Sequence, residues 1–457
     1  MMHQAQLKRI RRKLKLAAIA DKKQKFFAAD SHGYGVNPTI SIKKIKRFEE
    51  EYGVELPLCY AEFLLKVGNG GAGPFYGLYA LEEGVGDLCA LTETALSRPC
   101  LLAPKMSDED WQTLTADLYA DDNVSDEGYD IECAKVFGGL LPIGMQGCSY
   151  ITALVLNGEY CGRVVNVDVD GSKPVFAFEA NFLDWYERWL DEVIAGEVNG
   201  WFGYRMGGAE EHLLDKYAYA HEDEVKLDCL EGLLYKKALK PQSMVQVENW
   251  LAQEAVSVQH KEVLLQILCK ANYEQAKPYL LQWAEQDLTQ VCHIVYVYAR
   301  EHCVDWADWV LQSQDVIQET DDFHARLYVL QAAKADYSDW LVAFATHENV
   351  EIRRDAVFYL GMLHHVADYQ AVLVQGLQDE DEIVVLYSLS SLGKVKDKDL
   401  LPLYQQLLVR FPKGEGEMNQ HIRNILKRIL VGYKLSVKKL MKMEWETASV
   451  ETETLVN

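Results

Sequence analysis

Apolar residues recur along this chain in two different rhythms. Over residues 40–68, Ile42, Ile45, Phe48 and Tyr52 fall three or four apart, which predicts one face of a helix. Gly53 follows, a residue that accepts the left-handed backbone at a helix C-terminus. Pro57 opens a second helix, where its missing N–H does no harm. Tyr60, Phe63, Leu64 and Val67 supply that helix with an apolar stripe, and Gly68-Asn69-Gly70-Gly71 ends it in a tight turn. Over 150–179 the rhythm becomes alternation. Residues 150–156 predict a strand, Asn157-Gly158 a type I′ hairpin turn, and 159–169 a second strand with Val165, Val167 and Val169 opposed to Asn166 and Asp168. Asp170-Gly171 makes another turn and 175–178 a third strand. A helix over about 181–195 carries Phe182, Trp185, Trp189 and Val193 on one face.

From about 222 to 442 the pattern is helical throughout, and it repeats. Residues 347–352 precede the run 356–361, and residues 379–384 precede the run 388–393, so that Leu360-Gly361 and Leu392-Gly393 fall in register 32 positions apart. An acidic turn, a helix, Leu-Gly and a second helix make a repeat unit that cannot bury its apolar face alone and must stack. The fold class expected is an α+β N-terminal domain, an antiparallel-rich sheet with flanking helices, followed by an all-α helical-repeat solenoid. The expected segments are a basic helical segment at 1–37, the α+β domain at 38–195, a Gly-rich connection at 196–221, the solenoid at 222–445 and a frayed tail at 446–457. The connection holds Gly196, Gly200, Gly203, Gly207 and Gly208, but also Trp201, Phe202 and Tyr204, which argues that it packs.

Charge sharpens this picture. The net charge is −23, yet residues 1–25 carry nine Lys/Arg against Asp21. The body is therefore strongly acidic, which disfavours nucleic acid there and favours a basic protein partner. Leu7, Ile10, Leu14 and Ala17 place the basic segment on an amphipathic helix. Such a helix can touch an acidic surface or nucleic acid, or fold back onto the body. Residues 107–132 concentrate carboxylates with no Lys or Arg among them. Asp108, Glu109, Asp110, Asp117, Asp121, Asp122 and Asp126, with Trp111, are the candidate partner-binding residues, on a short helix and an exposed loop. The ten Cys are scattered without a C-x-x-C pair, as buried free thiols in a reducing, cytoplasmic setting would be. No apolar run reaches 18 residues, so no membrane span is expected.

Between 45 and 71, Phe48, Glu49, Gly53, Leu56, Pro57, Tyr60, Phe63, Asn69, Gly70 and Gly71 form an ordered set that resembles the opening motif of the SUKH superfamily. That group includes fungal cell-wall synthesis regulators and bacterial toxin-immunity proteins. Leu141-Pro142-Ile143-Gly144, Gly162 and the helix from Phe182 are similar to the domain's second half, while 72–138 departs from the family pattern. The resemblance implies binding without catalysis, and these motif residues are structural in it. The repeats at 347–410 resemble HEAT-like arrays, which implies a concave protein-binding surface.

Reactive constellations are not expected. No phosphate-binding G-x-x-x-x-G-K-[ST] or H-E-x-x-H occurs. His364-His365 are adjacent and so diverge on a helix. Gly147-Cys148-Ser149 is no nucleophile elbow. No catalytic residue, cofactor or metal is expected. The leading expectation is an immunity protein that neutralises a basic toxin domain by direct binding. The alternative is a scaffold or regulatory adaptor bridging several proteins.

Overall fold

In the computed structural model the described residues are 2–119, 125–197, 201–253, 256–313, 317–414 and 416–445. The chain divides into two compact units, Met1–Ile267 and Leu268–Asn457.

The first unit begins with α1 (Gln4–Ala20), α2 (Ile42–Tyr52) and α3 (Leu58–Lys66). Next come α4 (Thr92–Ala95), α5 (Asp108–Thr115) and α6 (Asp126–Val136). A sheet then forms from β1 (Leu140–Gly147), β2 (Tyr150–Val155), β3 (Val164–Asp168) and β4 (Val175–Phe176). The unit continues through α7 (Phe182–Ala195), α8 (Glu210–Tyr219), α9 (Asp223–Tyr235) and α10 (Pro241–Leu251), and the division falls within α11 (Val258–Ala271). Local chemistry explains the helix ends. Ser41, Ser107, Ser125 and Asn181 accept backbone N–H groups at the starts of α2, α5, α6 and α7. Gly53 and Gly196 close α2 and α7 with φ of 64° and 72°.

The sheet is an antiparallel meander in the order β1-β2-β3-β4, one strand more than the sequence pattern predicts. The extra strand is β1, whose Pro142 and Gly144 flank a register irregularity. Proline is tolerated there because β1 is an edge strand. Its outer edge receives Tyr79 N–H at the Ile143 carbonyl, 2.9 Å away. The expected antiparallel pairing of β2 and β3 is formed, but not the tight turn at Asn157-Gly158: β2 ends at Val155, β3 starts at Val164, and a longer loop joins them. Asn157 is a tertiary anchor instead. Its side chain accepts from Cys100 N–H (2.9 Å) and donates to the carbonyls of Arg98 (2.7 Å) and Leu96 (3.3 Å). The two-residue turn lies at Cys148-Ser149, where Gly147 pairs with Tyr150 and Cys148 takes φ of 51°.

Both faces of the sheet are covered. Leu141, Ile143, Leu154 and Val164 join a core with α1, α2, α3 and α7. Leu140, Ile151, Ala153, Val155, Val165, Val167 and Phe176 join a second core with Trp111, Leu118, Cys133, Ala134 and Val136. The acidic stretch is thus largely two helices, α5 and α6, that roof the second face. Asn166 and Asp168, on the polar side of β3, are buried rather than exposed. Gln146 donates to Thr152 (2.9 Å) and Asn166 (2.7 Å), and Tyr204 donates to Gln146 (3.0 Å). Phe202 is buried against Trp185, so the Gly-rich segment packs within this unit.

The second unit contains no strand among the described residues. It runs through α12 (Tyr273–Ala284), α13 (Leu288–Tyr298), α14 (Ala307–Gln312), α15 (Thr320–Ala333) and α16 (Ser338–Phe344). There follow α17 (Val350–Met362), α18 (Gln370–Gly376), α19 (Glu382–Leu392), α20 (Leu401–Arg410), α21 (Glu417–Gly432) and α22 (Val437–Leu440). Alternate helices stack: α13 on α15, α15 on α17, α17 on α19 and α19 on α21. This stacking is consistent with a helical solenoid. Polar contacts tie successive layers, a hydrogen bond between His324 and Asp355 at 2.8 Å and an ion pair of Arg354 with Asp381 through two bonds of 2.9 and 2.6 Å. The repeated Leu-Gly has a physical cause at Gly361, where a methyl group would overlap the Ser391 hydroxyl of α19. No helix among the described residues is long and apolar enough to cross a membrane.

Gly71 has φ of +97°, and a Cβ there would stand 2.6 Å from the Gly35 carbonyl oxygen. Gly71→Ala should therefore destabilise the protein by about 2 kcal/mol or more. Gly86, with open space around it, serves as the control. Gly86→Ala should stay within about 0.5 kcal/mol of the parent in urea unfolding followed by tryptophan fluorescence. Equal stability of the two variants would refute the assigned backbone geometry.

Candidate protein-interaction surface

The motif residues of 45–71 lie together and hold one corner of the first unit. Phe48 and Phe63 are fully buried, and Tyr60 meets Phe182 edge-on at 4.9 Å. Glu49 accepts the Leu56 N–H at 3.0 Å, fixing the turn from Gly53 to Pro57, which caps α3. Asn69 accepts the Leu81 N–H at 3.0 Å, and Gly71 exchanges hydrogen bonds with Leu78 at 2.8 and 2.7 Å. At Gly70 a Cβ would stand 2.5 Å from the Tyr79 carbonyl oxygen.

The acidic candidates are placed differently from one another. Asp108, Glu109 and Asp110 form the exposed first turn of α5. Asp108 pairs with Lys173 at 2.6 Å, and Asp110 accepts the Ser107 hydroxyl at 2.6 Å. Asp117 pairs with Lys135 at 3.4 Å, and Asp126 begins α6. Asp121 and Asp122 lie outside the described residues. Trp111 is buried and donates its indole N–H to the Gly171 carbonyl at 2.9 Å, so its ring packs α5 onto the β3–β4 turn rather than facing solvent.

A denser acidic surface lies elsewhere in the same unit. A cleft of about 700 Å³ runs along the outer face of α7 and the start of α8. Glu179, Asp184, Glu187, Asp191, Glu192, Glu197, Glu210 and Glu211 line it against Arg188, Lys236 and Lys240, eight carboxylates to three cations. Asp184, Glu187 and Asp191 stand on α7 at helical spacing, opposite its buried aromatic stripe. Each cation is committed. Arg188 sits 2.5 Å from both Glu179 and Glu192, with its guanidinium 4.3 Å over Phe202. Lys236 holds Glu197 at 2.7 Å, and Lys240 pairs with Glu211. Burial lifts Glu192 above the ordinary carboxylate value, an effect that Arg188 only partly offsets.

The basic α1 borders this cleft. Leu7, Ile10, Leu14 and Ala17 are buried on one side of it. On the other side Arg9 donates twice to Glu187 at 2.9 Å, and Lys13 bridges Glu187 (2.8 Å) and Asp191 (2.7 Å). Gln6 donates to Asp184 at 2.8 Å. The acidic face of α7 thus already binds one basic helix, drawn from the same polypeptide.

In the second unit, half-buried aromatic rings line successive helices. Tyr296 stacks on Tyr328 at 5.3 Å, and Phe358 meets Tyr387 at 5.2 Å. Arg300 lies 4.7 Å over Tyr296.

Residues 39–188 match the family described as SMI1 / KNR4 family (SUKH-1). The match takes in α2, α3 and the whole sheet, as well as the acidic stretch. The helical region after it lies outside the match, and no curated protein matches the sequence. The front domain is therefore of SUKH-1 type, a class consistent with non-catalytic protein binding.

Burial raises the Glu187 carboxyl, but hydrogen bonds from Arg9 and Lys13 outweigh it and hold it below its ordinary value. A depressed carboxylate stabilises the fold above its unfolded pKa and loses that contribution as pH falls through the folded one. Glu187→Gln should therefore cost about 1–2 kcal/mol at neutral pH, a modest figure because Arg9 stands half in water. The difference between parent and variant should shrink below roughly pH 4. Urea melts at both pH values test this, and a difference independent of pH would contradict the assigned pairing.

Proposed function

We propose that this protein is a non-catalytic binding protein of the immunity type, whose front unit covers a basic toxin domain and so neutralises it. The observation that carries this reading is the cleft along α7 and α8, where eight carboxylates face three cations of the cleft itself and Arg9 and Lys13 of α1 at its border, an excess of negative charge. Such a surface attracts a positively charged protein and speeds encounter with it. The docking of α1 supports the same reading, because a helix bearing Arg9 and Lys13 already fits beside this face. The SUKH-1 match supports protein binding in general. The mechanism is stoichiometric occlusion, in a reducing cytoplasmic setting that suits ten free thiols. Nucleic acid is not the partner of the acidic body.

The aromatic row of α13, α15, α17 and α19 favours a second reading, a scaffold that bridges several proteins. Stoichiometry separates the two. An immunity pair is tight and one-to-one, whereas a scaffold recovers several partners weakly.

The test is co-expression with the C-terminal domain of whatever protein the adjacent gene encodes, scored as viable cells, together with association rates of the purified pair. The expected outcome is rescue and an association rate that falls steeply with salt. Glu210→Lys combined with Glu211→Lys should slow association roughly tenfold at low salt and converge with the parent at high salt. Rescue with salt-independent rates would remove the electrostatic mechanism, and absence of rescue would favour the scaffold.

A further inference from the structure

Among the described residues, the second unit buries a cation whose hydrogen-bonding capacity is left partly unused. Arg326, on α15, is 4% exposed. Its Nε and Nη1 have no hydrogen-bond partner among the described residues. Leaving two guanidinium nitrogens desolvated and unpaired is strongly unfavourable. Stability alone therefore does not account for an arginine here. The side chain lines a cleft of about 660 Å³, together with the end of α12, the start of α13 and α14. We propose that this cleft receives a carboxylate carried on a polypeptide, and that Arg326 is the group that binds it.

The other walls select that chemistry. Glu285, Asp287 and Asp322 also line the cleft. None of them forms an ion pair with Arg326. Asp287 accepts the Gln290 N–H at 2.9 Å, and Asp322 accepts the Thr289 hydroxyl. Three carboxylates near one guanidinium repel a phosphate dianion more than a single carboxylate, since the repulsion scales with ligand charge. A carboxylate takes the guanidinium donors in fork geometry. A peptide also brings amide N–H groups, for which the surrounding carboxylates are acceptors. Trp309, 38% exposed, offers an apolar wall for the peptide that bears the group. The carboxylate comes either from the C-terminus of a polypeptide or from an Asp or Glu side chain. The site lies in Leu268–Asn457, apart from the acidic cleft of the front unit, and its occupancy is independent of the toxin reading.

The experiment uses the full-length protein labelled with ¹⁵N-arginine, following the Arg326 Nε–H resonance. The probes are N-acetylglycine, N-acetylaspartic acid α-amide and inorganic phosphate. A saturable shift with one or both carboxylates, weaker with phosphate, is expected. The better carboxylate identifies the source. Arg326→Lys should lose roughly 10- to 100-fold of that affinity, because it keeps the charge but not the fork. In the free protein, Arg326→Met should melt at the same temperature or higher, since it removes an unpaired buried charge. No response to either carboxylate, or a stronger response to phosphate, would overturn the proposal. So would a lower melting temperature for Arg326→Met, which would make the arginine a structural group satisfied within the fold.

Discussion

The sheet of the front unit has no face left to water, and most of that unit follows from this. Side chains of β2 and β3 point alternately into two separate cores. Each core needs its own cover, so α1, α2, α3 and α7 pack on one side and α4, α5 and α6 belong to the other. The polar residues of β3 are buried: Asn166 accepts from Gln146, which Tyr204 bonds in turn, and Asp168 accepts the Asp170 and Ser172 N–H groups. The segment after α7 is drawn in by the same requirement, with Phe202 buried and Tyr204 completing the network.

Legibility in the sequence tracked how local the determining chemistry was. The helices α2, α3 and α7 could be read because spacing, caps and stop residues all lie within a few positions of one another. The face of α1 could be read for the same reason. Strand β1 could not, because a doubly covered strand loses its alternation and Pro142 and Gly144 disguise the rest. Asn157-Gly158 misled because turn-forming residues also serve as long-range anchors, and only tertiary structure tells these roles apart. The short helix expected around Trp111 is α5, whereas α6 was masked by its own carboxylates, which read as an exposed loop.

The acidic cleft was half legible. Asp184, Glu187 and Asp191 fall at helical spacing on a helix whose apolar face was plain, so their shared face was available from the sequence. Glu210 and Glu211 are brought beside them only by the path of the backbone through the Gly-rich segment. Arg326 carried no sequence signal at all. An arginine within a helix ordinarily reaches solvent, and its burial without a partner depends on how α12 to α15 surround it.

The position of α1 has a practical side. The family match begins at residue 39, yet four apolar side chains of α1 belong to the same core as Phe48, Phe63 and Trp185. A fragment cut at the border of the match would strip the cover from part of that core. It would leave Glu187 without its two cations and lay a greasy strip beside a newly unmasked acidic one. Such a fragment would be sticky toward any amphipathic basic helix, and its apparent partners would reflect the cut rather than the protein.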